Sequence, residues 1–403
     1  MLKTPERLAA AKRHLYGNYR PAPVVFARGS GCELFDVDGR RFLDLCAGVA
    51  VSVVGHAHPV LTRAITEQAG RLIHASNYFY NEPNVELAAE LCTRTGMDLA
   101  FFCNSGAEAN EALLKLARRH FFGQGDTRRT KIVAFHNAFH GRTLGALAMT
   151  GTPKYREGFG EFSGVTHVSY GSLDETRAVM GPDVAAVIVE TVQGEGGVFP
   201  APAGFLGGLR SLCDEHGALL LVDEAQTGIG RVGRFLGSDG TGARPDAISL
   251  AKGLGGGVPI GAMLTRAKLA DALPPGTHGS TFGGNALACA AALAVLKVLD
   301  DENLIEAART KGEALGKMLD GLVAELPLVC ESARGEGLLR GLVLRPGFVA
   351  RDVLVKTQEA GVLLTAAGDR VLRFTPPLVV SIAQLEEGIR ILRDVLKALK
   401  SPS

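Results

Sequence analysis

Residues 99–120 read LAFFCNSGAEANEALLKLARRH, and the fold turns on this stretch. A short apolar run ends at Asn104, the chain turns through Ser105 and Gly106, and Ala109, Ala112, Leu113, Leu116 and Ala117 then recur at helical spacing. Ser105 followed three residues on by Glu108 is a capping-box pattern, which starts a helix expected over 106–121. A strand that passes straight into a helix leaves the helix's first amides, with the dipole behind them, aimed at one spot beyond the strand. That spot suits a phosphate. An ordinary capped helix after a strand has the same signature, so the rest of the chain must decide.

The same grammar repeats outward. KIVAF (131–135), VAAVIVE (184–190), ALLLVDE (218–224), AISLA (247–251) and IGAMLT (260–265) are nearly continuous in apolar residues, as expected of parallel strands covered on both faces by helices. Helices are expected over 204–216, 285–299, 304–325 and 383–399. The class is α/β, with a layered domain over 51–300. After residue 300 the order changes to helix, strand (GLLRGLVL), helix, short strands (GVLLT, VLRFT) and a last helix, which reads as a smaller α+β domain over 301–403. Residues 1–50 form an N-terminal segment expected to pack with it.

Composition narrows the function. Lys plus Arg is 43 against 42 for Asp plus Glu, so no excess charge advertises a nucleic acid. The seven cysteines are scattered, odd in number and lack a C-x-x-C pair, which argues against a disulfide framework or a zinc site and for a reducing cytoplasm. The start, MLKTPERLAAAKRHLY, lacks the apolar core of a signal peptide, and stretches such as LCAGVAVSVVGHAHPVLT are broken by His, Pro and Gly before they could span a bilayer. Fifty-one glycines in 403 residues is nearly twice the usual share of about 7%, which points to many turns and close backbone approaches.

Two further segments carry chemistry. In LLLVDEAQTGIGRVGRF (219–235), Asp223 stands at the carboxyl end of an apolar strand, where open α/β sheets place ligands, and needs a cationic partner. The fragment GIGRVG matches G-x-G-x-x-G, but its glycines lie several residues past the strand and no clear helix follows, so a dinucleotide site is rejected. In DAISLAKGLGGGVPIGAML (246–264), Lys252 follows a strand and precedes four glycines in five residues, which makes its amine a Schiff-base candidate. A phosphate cradle, a carboxylate for a pyridinium nitrogen and an amine for an aldehyde together ask for pyridoxal 5'-phosphate.

With these motifs in this order, the whole chain resembles the class III aminotransferases, pyridoxal-phosphate enzymes of fold type I. The resemblance implies a large domain with a mostly parallel sheet between helices, plus a smaller α+β domain built from both chain ends. It implies that Ser105, Gly106 and Ala107 hold the cofactor phosphate, that Phe139 of HNAFHGRT stacks on the ring, and that Ala225 packs on the other face. Asp223 would pair with the ring nitrogen, Gln226 would reach the ring hydroxyl and Lys252 would carry the cofactor. In GSTFGGNALA, Thr281 would reach the phosphate across a homodimer interface, with Ser280 near the substrate, so that active sites are shared.

The resemblance also implies how one pocket takes two amines. Glutamate presents a carboxylate beside its reacting amine, whereas an ornithine-like terminal amine presents a methylene, and an arginine left unpaired there would be penalised. Arg373 of VLRFTPPL would bind the glutamate α-carboxylate, and Glu195 of ETVQGEGGV would neutralise that arginine when no carboxylate arrives. Arg142 would hold the distal carboxylate of either substrate, assisted by Tyr19 of GNYRPAPV, and Glu190 would lie near the pocket. The reaction the resemblance implies moves the terminal amine of N2-acetyl-L-ornithine to 2-oxoglutarate in arginine biosynthesis. Ornithine, succinylornithine, 4-aminobutyrate and an aminoadipate semialdehyde derivative are the alternatives. Val49 stands where ornithine-selecting members carry a tyrosine, which favours the acylated substrate. Ala225 replaces a larger aliphatic residue and Thr191 a proline. An aminomutase, a decarboxylase or a non-covalent nucleotide-binding module would be the rivals outside transamination.

Overall fold

The computed structural model describes residues 4–160 and 162–399; residues 1–3 and 400–403, the ends of the two terminal segments, lie outside it. After helix α1 (Thr4–His14) come three short antiparallel strands, β1 (Phe26–Ser30), β2 (Glu33–Asp36) and β3 (Arg41–Asp44). Beyond β3 the backbone makes a left-handed turn in which Ala47, Gly48, Val49 and Ala50 all have φ between 47° and 66°. Such a run is costly for L-residues, and here the buried Asp44 carboxylate holds it by accepting the Cys46 and Ala47 amides at 2.9 and 2.8 Å and His56 Nε2 at 2.7 Å. Helices α2 (Pro59–Arg71) and α3 (Glu82–Thr95) then lead to the main sheet.

That sheet comprises β4 (Leu99–Cys103), β5 (Lys131–Phe135), β6 (Val165–Val168), β7 (Val184–Glu190), β10 (Leu219–Asp223), β11 (Ala247–Leu250) and β12 (Gly261–Thr265), in the spatial order β4-β12-β11-β10-β7-β5-β6. A small hairpin, β8 (Val192–Gln193) with β9 (Phe199–Pro200), follows β7. Every residue of β7 and β10 is buried, because helices cover both faces: α4 (Gly106–Gly123), α5 (Leu144–Met149), α6 (Leu173–Val179), α7 (Phe205–His216) and α8 (Ala286–Asp301).

One strand departs from the expected direction. IGAMLT, expected to run parallel with the others, forms β12, which is antiparallel to both β4 and β11. A continuous apolar run reports burial on two faces and carries no information on strand direction. The consequence is useful: the amino end of β12 meets the carboxyl ends of the other six strands at one edge of the sheet.

The remaining chain holds α9 (Leu304–Glu325), α10 (Ala350–Glu359), α11 (Ile382–Lys397) and a sheet of β13 (Cys330–Glu336), β14 (Leu339–Leu344), β16 (Thr365–Ala367) and β17 (Val371–Phe374). β13 was not expected; its half-buried polar sequence CESARGE lacks the apolar run that marks its partner β14. The strand β15 (Val362–Leu363) pairs in parallel with β3, joining the two ends of the chain. A single buried cluster runs from Val187 and Leu220 of the main sheet to Leu342 and Leu392 of the C-terminal part. Among the described residues no helix is long and apolar enough to cross a membrane.

Candidate active site

A cavity of about 380 Å³ opens at the edge where the strands end. Its wall takes Asn104–Ala107 from the turn after β4, Phe139 and Arg142 from the loop after β5, Glu190 from the end of β7, Asp223 from the end of β10, Lys252 just past β11 and Ile260 before β12. The register fixes this convergence, with Asp223 opposite Glu190 on one side and Ser249 on the other. Main-chain closeness is enforced by glycine: a Cβ on Gly106 would lie 3.2 Å from that of Ala225, and one on Gly261 would lie 2.3 Å from the Ser105 carbonyl oxygen.

Ser105 caps α4, its Oγ accepting the Glu108 amide at 3.2 Å. The reciprocal half differs from the expected box, because Glu108 Oε2 reaches back to the amide of Asn104 at 3.0 Å and to the Ser105 hydroxyl at 2.9 Å. The helix end faces the cavity with its dipole's positive pole.

Asp223 is 4% exposed. Oδ2 accepts Asn110 Nδ2 and His140 Nδ1, each at 2.7 Å, while Oδ1 accepts the Ala225 amide at 2.9 Å and the Ser249 hydroxyl at 3.1 Å. Burial alone would raise its pKa; the His140 hydrogen bond and charge, the Ala225 amide and Asn110 outweigh it and hold the carboxyl below its ordinary range. A fixed negative charge therefore stands at the strand end. His140 and Asn110 escaped sequence reasoning although both lie inside quoted motifs, because no spacing signal links them to a residue 83 and 113 positions away.

Lys252 begins a short 3-10 turn with φ 44°, a left-handed conformation that points its side chain into the cavity wall at a cost of about 1 kcal/mol. Burial lowers its amine pKa, with Glu195 opposing and Arg373 reinforcing the shift. Glu190 moves the other way: burial, with the charge of Asp223 beside it, raises its carboxyl well above the usual value, although Oε2 accepts the Phe139 amide at 3.1 Å.

Arg373 is 2% exposed, and its Nη1 meets Glu195 Oε1 at 2.5 Å and the Gly194 carbonyl at 3.0 Å, while Nε donates to Thr365 Oγ1 at 3.0 Å. Gln226 Nε2 lies 3.4 Å from the same Glu195 oxygen, so it joins this pair. Burial raises the Glu195 pKa, but Arg373 and Lys252 outweigh it and the carboxyl stays below its ordinary range. Arg142 is exposed, on the cavity wall.

Tyr19, Ser280 and Thr281 do not line this cavity. Tyr19 is 78% exposed, and Ser280 stops short, its Oγ accepting Asn104 Nδ2 at 3.2 Å. Thr281 is exposed. Val51, two residues past Val49, is in the wall instead of Val49.

The enclosed amine, the buried carboxylate, the aromatic side chain and the helix end suit pyridoxal phosphate; Asn110 Oδ1, buried in the wall without a partner, marks a polar surface prepared for more than packing. The family model for class-III aminotransferases matches residues 16–396, and the chain belongs to that family of pyridoxal-phosphate-dependent enzymes. It is 48% identical over 378 residues to the acetylornithine aminotransferase of Myxococcus xanthus, covering 93% of this chain and 94% of that one. The N-acetylornithine aminotransferase of Stenotrophomonas maltophilia K279a superposes with a TM-score of 0.84 at 36% identity, over 97% of this chain and 98% of the other. An ornithine aminotransferase of Toxoplasma gondii, described with partial occupancy of PLP at its active site, gives 0.92 at 35% identity, over 98% and 94%.

Proposed function

We propose that the enzyme transfers the terminal amino group of N2-acetyl-L-ornithine to 2-oxoglutarate, giving N-acetyl-L-glutamate 5-semialdehyde and L-glutamate in two alternating half-reactions. The observation that carries this reading is the Arg373–Glu195 pair, in which Glu195 stands in the same wall as Arg142 and the buried Arg373 lies behind it. A site for one substrate alone would have no use for an arginine that is covered when one amine binds and uncovered for the other. The named relatives act on the same substrate class, which supports the choice.

In this reading Ser105, Gly106 and Ala107 would hold the phosphate, Phe139 and Ala225 would pack on the ring, Gln226 would reach the ring hydroxyl, and Asp223 would keep the ring nitrogen protonated. The bound cofactor supplies an electron sink for the carbon that loses its proton. Lys252 would hold the cofactor between turnovers, and its Nζ would take that proton and return it, a role its burial-lowered pKa suits. Arg142 fixes the distal carboxylate. Glu195 covers Arg373 while acetylornithine is bound and withdraws when the α-carboxylate of glutamate arrives. Glu190, held on the Phe139 amide, keeps that loop against the pocket.

The assembly in this reading is a homodimer, with Thr281 of the opposite subunit reaching the phosphate, Ser280 near the substrate and Tyr19 assisting Arg142. The exposed Tyr78, Phe79, Tyr80 and Phe282 give it an apolar face to bury. A cytoplasmic location suits the free cysteines. The test mixes cofactor-loaded enzyme separately with N-acetylornithine, ornithine, succinylornithine and 4-aminobutyrate and follows the cofactor's visible absorbance. Fastest change with N-acetylornithine, reversed by 2-oxoglutarate, is expected; faster change with another donor overturns the substrate.

A further inference from the structure

Arg142 in the cavity wall and Arg373 behind Glu195 are held in different ways. Arg373 is covered by a carboxylate and a carbonyl. Arg142 has no carboxylate partner among the described residues; its guanidinium carbon lies 4.0 Å from the ring centroid of Tyr155 and 5.4 Å from that of Phe139, and the two rings meet edge to face at 6.2 Å and 89°. Aromatic faces attract the cation and fix the plane of the guanidinium while leaving its in-plane N–H groups free. A carboxylate partner would occupy those same groups and have to be displaced by every substrate.

The mount of Tyr155 is firm. It closes the short 3-10 turn Pro153–Tyr155, its amide donating to the Thr152 carbonyl at 3.1 Å. Just before it, Gly151 lies so close to the end of β5 that a Cβ there would sit 2.0 Å from the Phe135 carbonyl oxygen, and its amide donates to Ala138 at 2.8 Å. Thr150 Oγ1 accepts the amide of His140 at 3.0 Å. The segment that carries Tyr155 is thereby fastened to the loop that carries Phe139 and Arg142.

We infer that Tyr155 is a positioning and specificity-determining residue: its ring face orients Arg142 so that the guanidinium edge stays available for the distal carboxylate of both amine donors. The inference rests on the role proposed for Arg142, and it separates two tasks. The distal carboxylate is present in each half-reaction, so its arginine is held by a group that never competes. The proximal carboxylate is present in only one, so its arginine carries a removable cover.

The test compares wild type, Tyr155→Phe and Tyr155→Leu as loaded enzymes in the half-reaction with N-acetylornithine and with N-(4-aminobutyl)acetamide, the same amine without its carboxylate. Equilibrium binding of glutarate by calorimetry gives a readout independent of turnover. The Leu variant is expected to lose about three- to tenfold in kcat/KM for N-acetylornithine, through KM, and to bind glutarate correspondingly less well. The Phe variant keeps the ring and should behave as wild type, and the carboxylate-free amine should react equally with all three. Equal losses on both amines in Tyr155→Leu would make Tyr155 ordinary packing, and a Phe variant as impaired as Leu would move the effect to the hydroxyl; either overturns the inference alone. A wild-type enzyme indifferent to the carboxylate overturns the role of Arg142 and this inference with it.

Discussion

At the scale of single residues the cavity is governed by which charges are paired before substrate arrives. Glu195 neutralises a guanidinium that is 2% exposed, and removing one partner of a buried pair leaves the other uncompensated. Glu195→Gln should therefore impair the acetylornithine half-reaction, in which Arg373 needs its cover, by about ten- to a hundredfold in kcat/KM. The glutamate half-reaction, in which the substrate supplies the carboxylate, should change several times less. Single-turnover absorbance traces from each side measure the asymmetry; equal losses would remove the switch. Ala225 makes a second case. Its Cβ packs against Gly106 in the turn that opens α4, yet it offers less surface than a branched residue. Ala225→Val should slow cofactor release during dialysis by about three- to tenfold, the scale of one or two added methyl contacts.

At the scale of elements, the left-handed turn at 47–50 shows what patterning leaves out. LCAGVAVSVV reads as an apolar segment, and nothing in its periodicity announces four successive positive φ values or the Asp44 carboxylate that pins them. The strands and helices around the cavity were legible for the opposite reason: VAAVIVE and LLLVD are dictated by burial on both faces, a property each residue carries with it. Asp223, Lys252 and Glu195 could be read because they sit at the ends of such runs or in motifs. The tie of His140 and Asn110 to Asp223, the reversed direction of β12 and the stacking of Tyr155 depend on tertiary placement, which no local pattern encodes. The turn makes its own predictions. Val49, a β-branched residue at φ 66°, should gain about 1 kcal/mol of stability when replaced by Gly, unless lost side-chain contacts offset it, and a higher Tm reports this. Burial pushes the Asp44 pKa up, but His56 and the amides of Cys46 and Ala47 bring it below its ordinary value. Its folded pKa thus lies below the unfolded value of about 3.9, so its contribution is complete above about pH 4 and disappears as pH falls through the folded pKa. Asp44→Asn should cost about 1–3 kcal/mol at pH 7, and denaturant melts of the two proteins should converge below about pH 4.

For the whole molecule, the question is whether one chain contains a complete site. Its cavity wall has the amine, the carboxylates and Arg142, with Arg373 paired behind Glu195, but Thr281, Ser280 and Tyr19 lie outside it. The same chain leaves Tyr78 at 92%, Phe79 at 73% and Tyr80 at 91% exposure, more aromatic surface than an isolated subunit normally shows to water. The proposed twofold dimer would account for both facts: it would bury the aromatic loop and bring each subunit's Thr281 to the other's helix α4. Subunit complementation tests it directly. In the proposed mechanism Lys252→Ala would not turn over, and Thr281→Asp would place a negative charge where the phosphate would be held, so each homodimer should be inactive. In a hybrid, the subunit with intact Lys252 receives an intact Thr281 from its neighbour, which gives one working site in two. Random reassociation of equal amounts should then restore about a quarter of wild-type activity. Recovery with the hybrid species isolated by differential tagging would establish the shared site. If the mixture stays inactive while hybrids are shown to form, Thr281 acts within its own subunit or not at all, and the division of the site between two chains is wrong.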